Sequence, residues 1–346
     1  MTTRMDTKLA NIRAGRYKPT DFIIADAKDG DAGSGVTCAG FDHSDPAGPR
    51  PRTRSEFLDA IERLVEQDIL DIMLLTVSNL ELLHERGTFK NSAMKPAIRA
   101  NCTTDCWAGI RNATYRQFPS RAFRAVTVSR AMTGTAQPAP GAPITGTDLG
   151  LYSVTFLNDL ERDAHALEEF KRFREEAQAN NFRYFYEVFN PNIEIGMTQQ
   201  QLGEYLNDAI LASLAGLTKA ERPEFLKIPF NGPKALEELA SFDSSLIVGI
   251  LGGGAGTTRD TFELLSQGER YGARVALFGR KINLAELPLH LVALMRQVVD
   301  GTISPEEAVR AYHGELQTLG VKPIRPLSDD RIVTEEVLKT AAAKAA

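Results

Sequence analysis

The chain has 346 residues, 43% hydrophobic and 25% charged, which are ordinary values for a globular protein long enough to bury one sizeable core. Its formal net charge of -5 argues against a nucleic acid as the main partner, because gripping a polyanion needs a basic face. Three cysteines (Cys38, Cys102, Cys106) are too few and too odd in number for a disulfide framework, and no run approaches the ~18 apolar residues of a membrane span, so the expected setting is cytoplasmic.

Met1 to Tyr17 is mixed in charge and lacks the apolar centre of a signal peptide. A first strand is predicted at Asp21 to Ala25, followed directly by Asp26, Lys28, Asp29 and Asp31 among Gly30, Gly33 and Gly35. Carboxylates and glycines just past an apolar strand read as a loop at the mouth of an active site, or else as a solvated turn. After a proline-rich loop, Thr53 and Glu56 make a capping box for a helix reaching Gln67. The second strand is predicted at Ile69 to Val77 and the third at Ala97 to Ala100. Arg99 on the third reads equally as a core-edge ion pair or a ligand clamp. Cys102 and Cys106 form a lone Cys-x3-Cys pair without a second pair, which does not point to zinc. Residues 111–148 carry five arginines and a Thr/Gly/Pro/Ala-rich run without apolar periodicity, so they read as a long excursion of the kind that forms lids or subunit contacts, or else as a merely disordered loop. A homo-oligomer is expected accordingly.

The fourth strand, Leu151 to Leu157, leads through the cap residue Asp159 into a helix that repeats apolar residues at Leu160, Ala164, Leu167, Phe170 and Phe173. The fifth, Phe182 to Phe189, holds Glu187 between Tyr186 and Val188, where an acid is costly unless paired or used. A helix capped by Thr198 follows. Lys227 then sits in the sixth strand, inside Phe225-Leu226-Lys227-Ile228-Pro229. Burial penalises an ammonium, so such an amine either meets a carboxylate or is held neutral as a nucleophile. Adjacent parallel strands lie ~4.8 Å apart, close enough for Glu187 and Lys227 to meet, whether as a structural ion pair or as catalytic groups. The seventh strand, Ser245 to Leu251, ends in Gly252, Gly253, Gly254 and Gly256, with Thr257 and Thr258 opening a helix; amides exposed there could hold an anion. The eighth, Arg274 to Phe278, ends in Gly279-Arg280-Lys281. Pro288 opens a further helix, and Ser304 and Glu307 cap a last one.

Eight strands, each followed by helix or helix-length sequence, make an α/β protein with a (β/α)8 TIM barrel fold, expected over residues 1–330 as a single domain, with the excursion at 111–148 and a tail at 331–346. The lysine of strand six, Glu187 on strand five, Asp26 on strand one and the glycine-rich ends of strands seven and eight resemble the class I aldolases of the DeoC/LacD type, which include the tagatose-bisphosphate and archaeal-type fructose-bisphosphate aldolases. The resemblance implies carbon–carbon lyase chemistry on a sugar or sugar-phosphate ketose, with no metal or other cofactor. It implies Lys227 as the Schiff-base lysine, Glu187 as acid/base and Asp26 as the acid of the first strand; in the mechanism expected from these residues Asp26 takes the proton of the cleaving hydroxyl, and Glu187 or a tyrosine such as Tyr152 reprotonates the enamine. Gly252, Gly253, Gly254, Gly279 and Arg280 would form the phosphate cradle, with Lys28 and Arg99 as substrate-binding groups. Other barrel chemistries fit the same order of elements: a magnesium-dependent lyase or hydratase using Asp26, Asp29, Asp31 and Glu187, or a sugar-phosphate isomerase or binding barrel.

Overall fold

The computed structural model describes residues 2–42, 48 and 50–342. Eight parallel strands form the sheet: Ile23–Ala27, Ile72–Leu75, Lys95–Arg99, Leu149–Thr155, Arg183–Phe189, Leu226–Lys227, Gly249–Leu251 and Val275–Phe278, numbered one to eight here in chain order. Their order in space follows the chain, with strand one also pairing strand eight, and the cylinder closes between strands six and seven. That seam carries hydrogen bonds from Leu226 N to Ile247 O (2.8 Å), Ile228 N to Gly249 O (2.9 Å) and Leu251 N to Ile228 O (2.9 Å). The fold is a (β/α)8 barrel, as the sequence leads one to expect.

Side-chain phase divides the core in two. Ile23, Ala25, Ile72, Leu74, Ala97, Leu149, Leu151, Phe185, Phe225, Ile247, Val275 and Leu277 fill the cylinder. The alternate positions, among them Ile24, Met73, Ile98, Tyr152, Tyr186, Leu226 and Phe278, pack outward beneath the helices. Because both faces of every strand are buried, the strands read as unbroken apolar runs without alternation.

The amino terminus holds a helix that mixed charge had hidden. Arg4–Arg13 starts at a Thr3/Asp6 capping box and puts Met5 and Leu9 into the interior cluster, stoppering the end of the barrel where the strands begin. Met5, Leu9 and Ile12 lie at the i, i+4, i+7 spacing that would have revealed it. The stopper is anchored by Asp71, a fully buried carboxylate that accepts from Lys8 Nζ (2.9 Å) and Ile24 N (2.8 Å) and lies 3.3 Å from Arg4 Nε. Replacing Asp71 by leucine strands the buried Lys8 ammonium, so the variant is expected to lose about 3–5 kcal/mol in urea unfolding; a loss under about 1 kcal/mol would show that the anchor is idle.

At the other end of the chain, residues 331–346 include a helix at Glu336–Ala342 whose Leu338 is fully buried, while Thr334 and Glu335 donate backbone N–H groups to Asp260 (2.7 and 3.2 Å). The last four positions of that expected tail lie outside the described residues. The excursion after strand three holds a small antiparallel pair (Cys102–Thr103 with Ala122–Phe123), two 3-10 turns (Cys106–Gly109 and Tyr115–Gln117) and a helix at Val128–Thr133. Trp107 packs against the rings of Tyr115 and Phe123 and donates its indole N–H to Ala32 O (3.0 Å), joining the excursion to the loop after strand one.

Candidate active site

Strands five and six pair in register with Glu187 level with Lys227, and both belong to the inward phase set by Phe185 and Phe225. Their side chains therefore meet inside the cylinder, Lys227 Nζ standing 2.6 Å from Glu187 Oε1 with only 6% and 1% of each residue exposed. Ser153, level with Glu187 on strand four, donates its hydroxyl to Glu187 Oε2 (2.6 Å). Arg99, inward on strand three, places Nη1 3.2 Å from Ser153 Oγ and Nη2 3.7 Å from Glu187 Oε2, and donates Nε–H to Asp29 Oδ2 (2.5 Å). Asn101 continues the sheet with its amide, donating to Ser153 O (2.8 Å) and accepting from Ser153 N (2.6 Å). One connected network of charge thus crosses the barrel from Lys227 to Asp29. Two cations against two carboxylates leave it neutral, which makes its burial tolerable.

The network forms the floor of a cavity of about 360 Å³ at the carboxyl ends of the strands, where barrel enzymes carry their chemistry. Gly252, Gly253, Gly279 and Arg280 contribute one part of its wall, Asp29, Gly30 and Gly33 another, and Asp105, Cys106 and Arg116 the part supplied by the excursion. Gly279 is required by close approach, since a β-carbon there would lie 2.9 Å from Ala27 O. Arg116 and Arg280 are exposed and form no hydrogen bond or ion pair with any described residue, so the rim offers two free guanidiniums. Burial pushes the Cys106 thiol up and away from thiolate. A larger hollow of about 930 Å³ lies near the beginnings of strands five and six, but its arginines already hold carboxylates: Arg13 with Glu224 (2.5 Å) and Arg174 with Glu221 (2.8 Å).

The structure brings together Lys227, Glu187, Arg99, Gly252, Gly253, Gly279 and Arg280, and leaves Asp26, Lys28 and Gly254 out of the cavity lining. Asp26 is displaced by a matter of phase. Strand one runs two residues further than its apolar run indicates, to Ala27, and with Ile23 and Ala25 inward Asp26 turns toward the helical layer with Ile24. Asp29 reaches the cavity instead. Tyr152 is likewise outward, stacked on Phe173 with ring centroids 4.5 Å apart, and cannot reprotonate a substrate inside the barrel. The helix after the glycines, Thr258–Arg270, has its first amides engaged: Thr257 N donates to Asp260 Oδ2 (2.9 Å) and Thr258 N to Asp330 Oδ1 (2.8 Å). Any anion at that corner would meet the glycine loop and Arg280 rather than the helix start. The acids of the magnesium alternative do not converge, since Asp31 accepts from Thr76 and Asn79 while Asp29 and Glu187 face cations. Among the described residues no group of three or more His, Cys, Asp or Glu is gathered as a metal site. Arg116, which lines the cavity, and Ser153, which lies buried beneath it against Glu187 and Arg99, are the site residues that sequence reasoning passed over. Ser153 was detectable as a polar residue in an apolar strand, whereas nothing local marks Arg116 among its neighbouring arginines.

No protein-family model matches the chain, and no curated protein does. Solved structures do. An archaeal fructose 1,6-bisphosphate aldolase superposes with a TM-score of 0.59 at 13% identity, covering 85% of this chain and 99% of that one. A second archaeal fructose-1,6-bisphosphate aldolase, with its catalytic lysine covalently bound to the carbinolamine intermediate of the substrate, gives 0.60 at 14% identity over 85% of this chain and all of the other. The chain has the fold of these Schiff-base aldolases. A Corynebacterium glutamicum protein shares it too, with a TM-score of 0.56 at 17% identity over 86% of this chain and 93% of that one.

Burial of Asp26 beside Lys28, with Asp29 adding repulsion, raises its carboxyl from the usual range to about 6. A raised value means that the fold favours the protonated form: the stability it contributes is complete below about pH 4 and is lost as pH climbs through 6. Relative to an Asp26→Asn variant, the parent is therefore expected to lose up to about 3 kcal/mol of unfolding free energy over that window. Urea titrations of both proteins from pH 4 to 7 measure it.

Proposed function

We propose that the chain is a Schiff-base-forming aldolase acting on a ketose that carries phosphate. The observation that supports this most directly is the buried Lys227–Glu187 pair at the floor of the mouth cavity, 2.6 Å apart on neighbouring strands. In this reading the ammonium of Lys227 passes a proton to Glu187, and the freed amine attacks the substrate carbonyl, forming the C–N bond of a carbinolamine. Glu187 returns the proton to the carbinolamine hydroxyl, which leaves as water and gives the iminium. Asp29, rather than Asp26, is the carboxylate within the cavity that can take the proton from the hydroxyl of the cleaving carbon. As that carbon becomes an aldehyde, the electron pair of the broken C–C bond flows into the iminium to give an enamine. The proton that Asp29 took is returned to the enamine carbon, and water hydrolyses the resulting iminium to free the Lys227 amine. Arg99 orients both acids through its contacts with Asp29 and Glu187. Gly252, Gly253, Gly279 and the unpaired guanidinium of Arg280 suit a phosphate, which would position the substrate.

Borohydride reduction with a panel of ketoses and ketose phosphates tests nucleophile and substrate class together. The expected result is an intact-mass increase equal to one ligand less the water lost on imine formation plus the two hydrogens of reduction, mapped by peptide digestion to Lys227. Folded protein that gains no mass with any ketose would overturn the reading.

A further inference from the structure

Asp26 and Lys28 are buried ionisable groups for which the reaction above has no use. Asp26 is fully buried, and neither carboxylate oxygen accepts a hydrogen bond from any described residue. Among the described residues its charged partner is Lys28, whose Nζ lies 3.2 Å from Oδ2. Lys28 in turn donates to Asn283 Oδ1 (3.1 Å), Asn283 donates Nδ2–H to Cys38 O (2.7 Å), and the backbone of Lys28 donates to Leu74 O (2.7 Å). These contacts lie between strand one and the helical layer, behind the cavity wall. They also join two stretches that the cavity needs. Lys28 directly precedes Asp29, and Asn283 ends the short helix Arg280–Asn283 that begins with the free guanidinium.

We infer that Asp26, Lys28 and Asn283 act as a latch that positions the loop after strand one against the loop after strand eight, so that Asp29 stays on Arg99 and Arg280 stays on the rim. The three are positioning residues; they touch no substrate. A charge pair is suited to this work because it acts over the short span between two loop backbones, and because in a dry site it resists the small sliding that a purely apolar contact tolerates. Ionisation and position respond oppositely to pH here. Discharging Asp26 relieves the cost of burying a carboxylate, yet removes the attraction that fixes Lys28. The charged groups facing the pair are Asp29 beside Asp26 and Arg52 near Lys28. Across the sheet Asp26 is level with Met73 and Phe278, which carry no charge.

The chain has one tryptophan, and it reports on this loop directly, because Trp107 donates to Ala32 O a few residues beyond Lys28. The latch rests on the aldolase reading only for what the positioned groups do, and the fluorescence readout is independent of that reading. In the full-length Asp26→Asn and Lys28→Met variants, confirmed folded by thermal melting, acrylamide quenching of Trp107 is expected to rise about two-fold over the parent as the loop loosens. Asn283→Ser, which cuts the latch at its uncharged end, is expected to do the same and decides the matter if the charge variants do not fold. In the parent, quenching is expected to increase as pH falls through about 6, and in Asp26→Asn to be flat. Where the parent forms the borohydride adduct, the variants are expected to lose turnover about ten-fold, the size of effect that small misplacement of a reacting group produces. Folded variants with unchanged quenching and an unchanged pH response would overturn the latch, and altered quenching with full turnover would overturn its positioning role. A parent that forms no adduct refutes the aldolase reading instead, while Trp107 still decides the latch.

Discussion

Lys227→Met is expected to abolish borohydride trapping and to lower aldol cleavage by at least about 10³-fold, the loss seen when one member of an interdependent catalytic unit is removed. The methionine matches the lysine in length and fills the same space between strands five and seven, but it has no lone pair to offer a carbonyl. Its thermodynamic consequence is separate from its chemical one. Glu187 is 1% exposed and would keep only the more distant Arg99 guanidinium, at 3.7 Å, and the Ser153 hydroxyl. A buried carboxylate that loses its nearest cation costs about 3–5 kcal/mol, or else takes up a proton. The assay therefore belongs with a urea titration of the same preparation. A folded variant without adduct or turnover places the nucleophile at Lys227, whereas a folded variant that still traps ketose locates it elsewhere.

Glu187→Gln is expected to lower turnover by about 10²–10⁴-fold, the usual contribution of a positioned general acid–base group. The amide retains the shape and can still meet Ser153 Oγ and Lys227 Nζ, so the floor of the cavity should persist. What it loses is the ability to accept the proton of Lys227 and return it to the carbinolamine hydroxyl. Formation and dehydration of the carbinolamine should slow together, and pre-steady-state trapping would show the adduct accumulating slowly on an intact Lys227. If Glu187 merely balances charge, the variant would lose stability while the rate of adduct formation stayed within about three-fold of the parent, well short of an acid–base contribution. The two substitutions thus separate an ion pair that only holds strands five and six together from one that moves protons.

The sequence alone determined the order of the eight strands, the barrel that follows from it, and the nearness of Glu187 to Lys227. Each strand is an apolar run bounded by turn residues, and polar residues within such runs at neighbouring strands can satisfy burial only by meeting one another. The helix starts were legible for a similar reason, because a capping box such as Thr53/Glu56 or Ser304/Glu307 is local chemistry complete within four residues.

Tertiary structure decided everything that depended on phase or on distant partners. Strand one is apolar on both faces, so no alternation in Phe22 to Ala27 reveals which residues enter the cylinder, and only the register with strands two and eight turns Asp26 outward and carries Asp29 to Arg99. The amides at the start of Thr258–Arg270 are satisfied by Asp260 and by Asp330, 72 residues away along the chain, which no local pattern could disclose. Arg116 joins the cavity because Trp107 fastens the excursion across the mouth to Ala32. Local patterns encode which elements form; which side chains converge is set by how the closed sheet rotates each strand about its own axis.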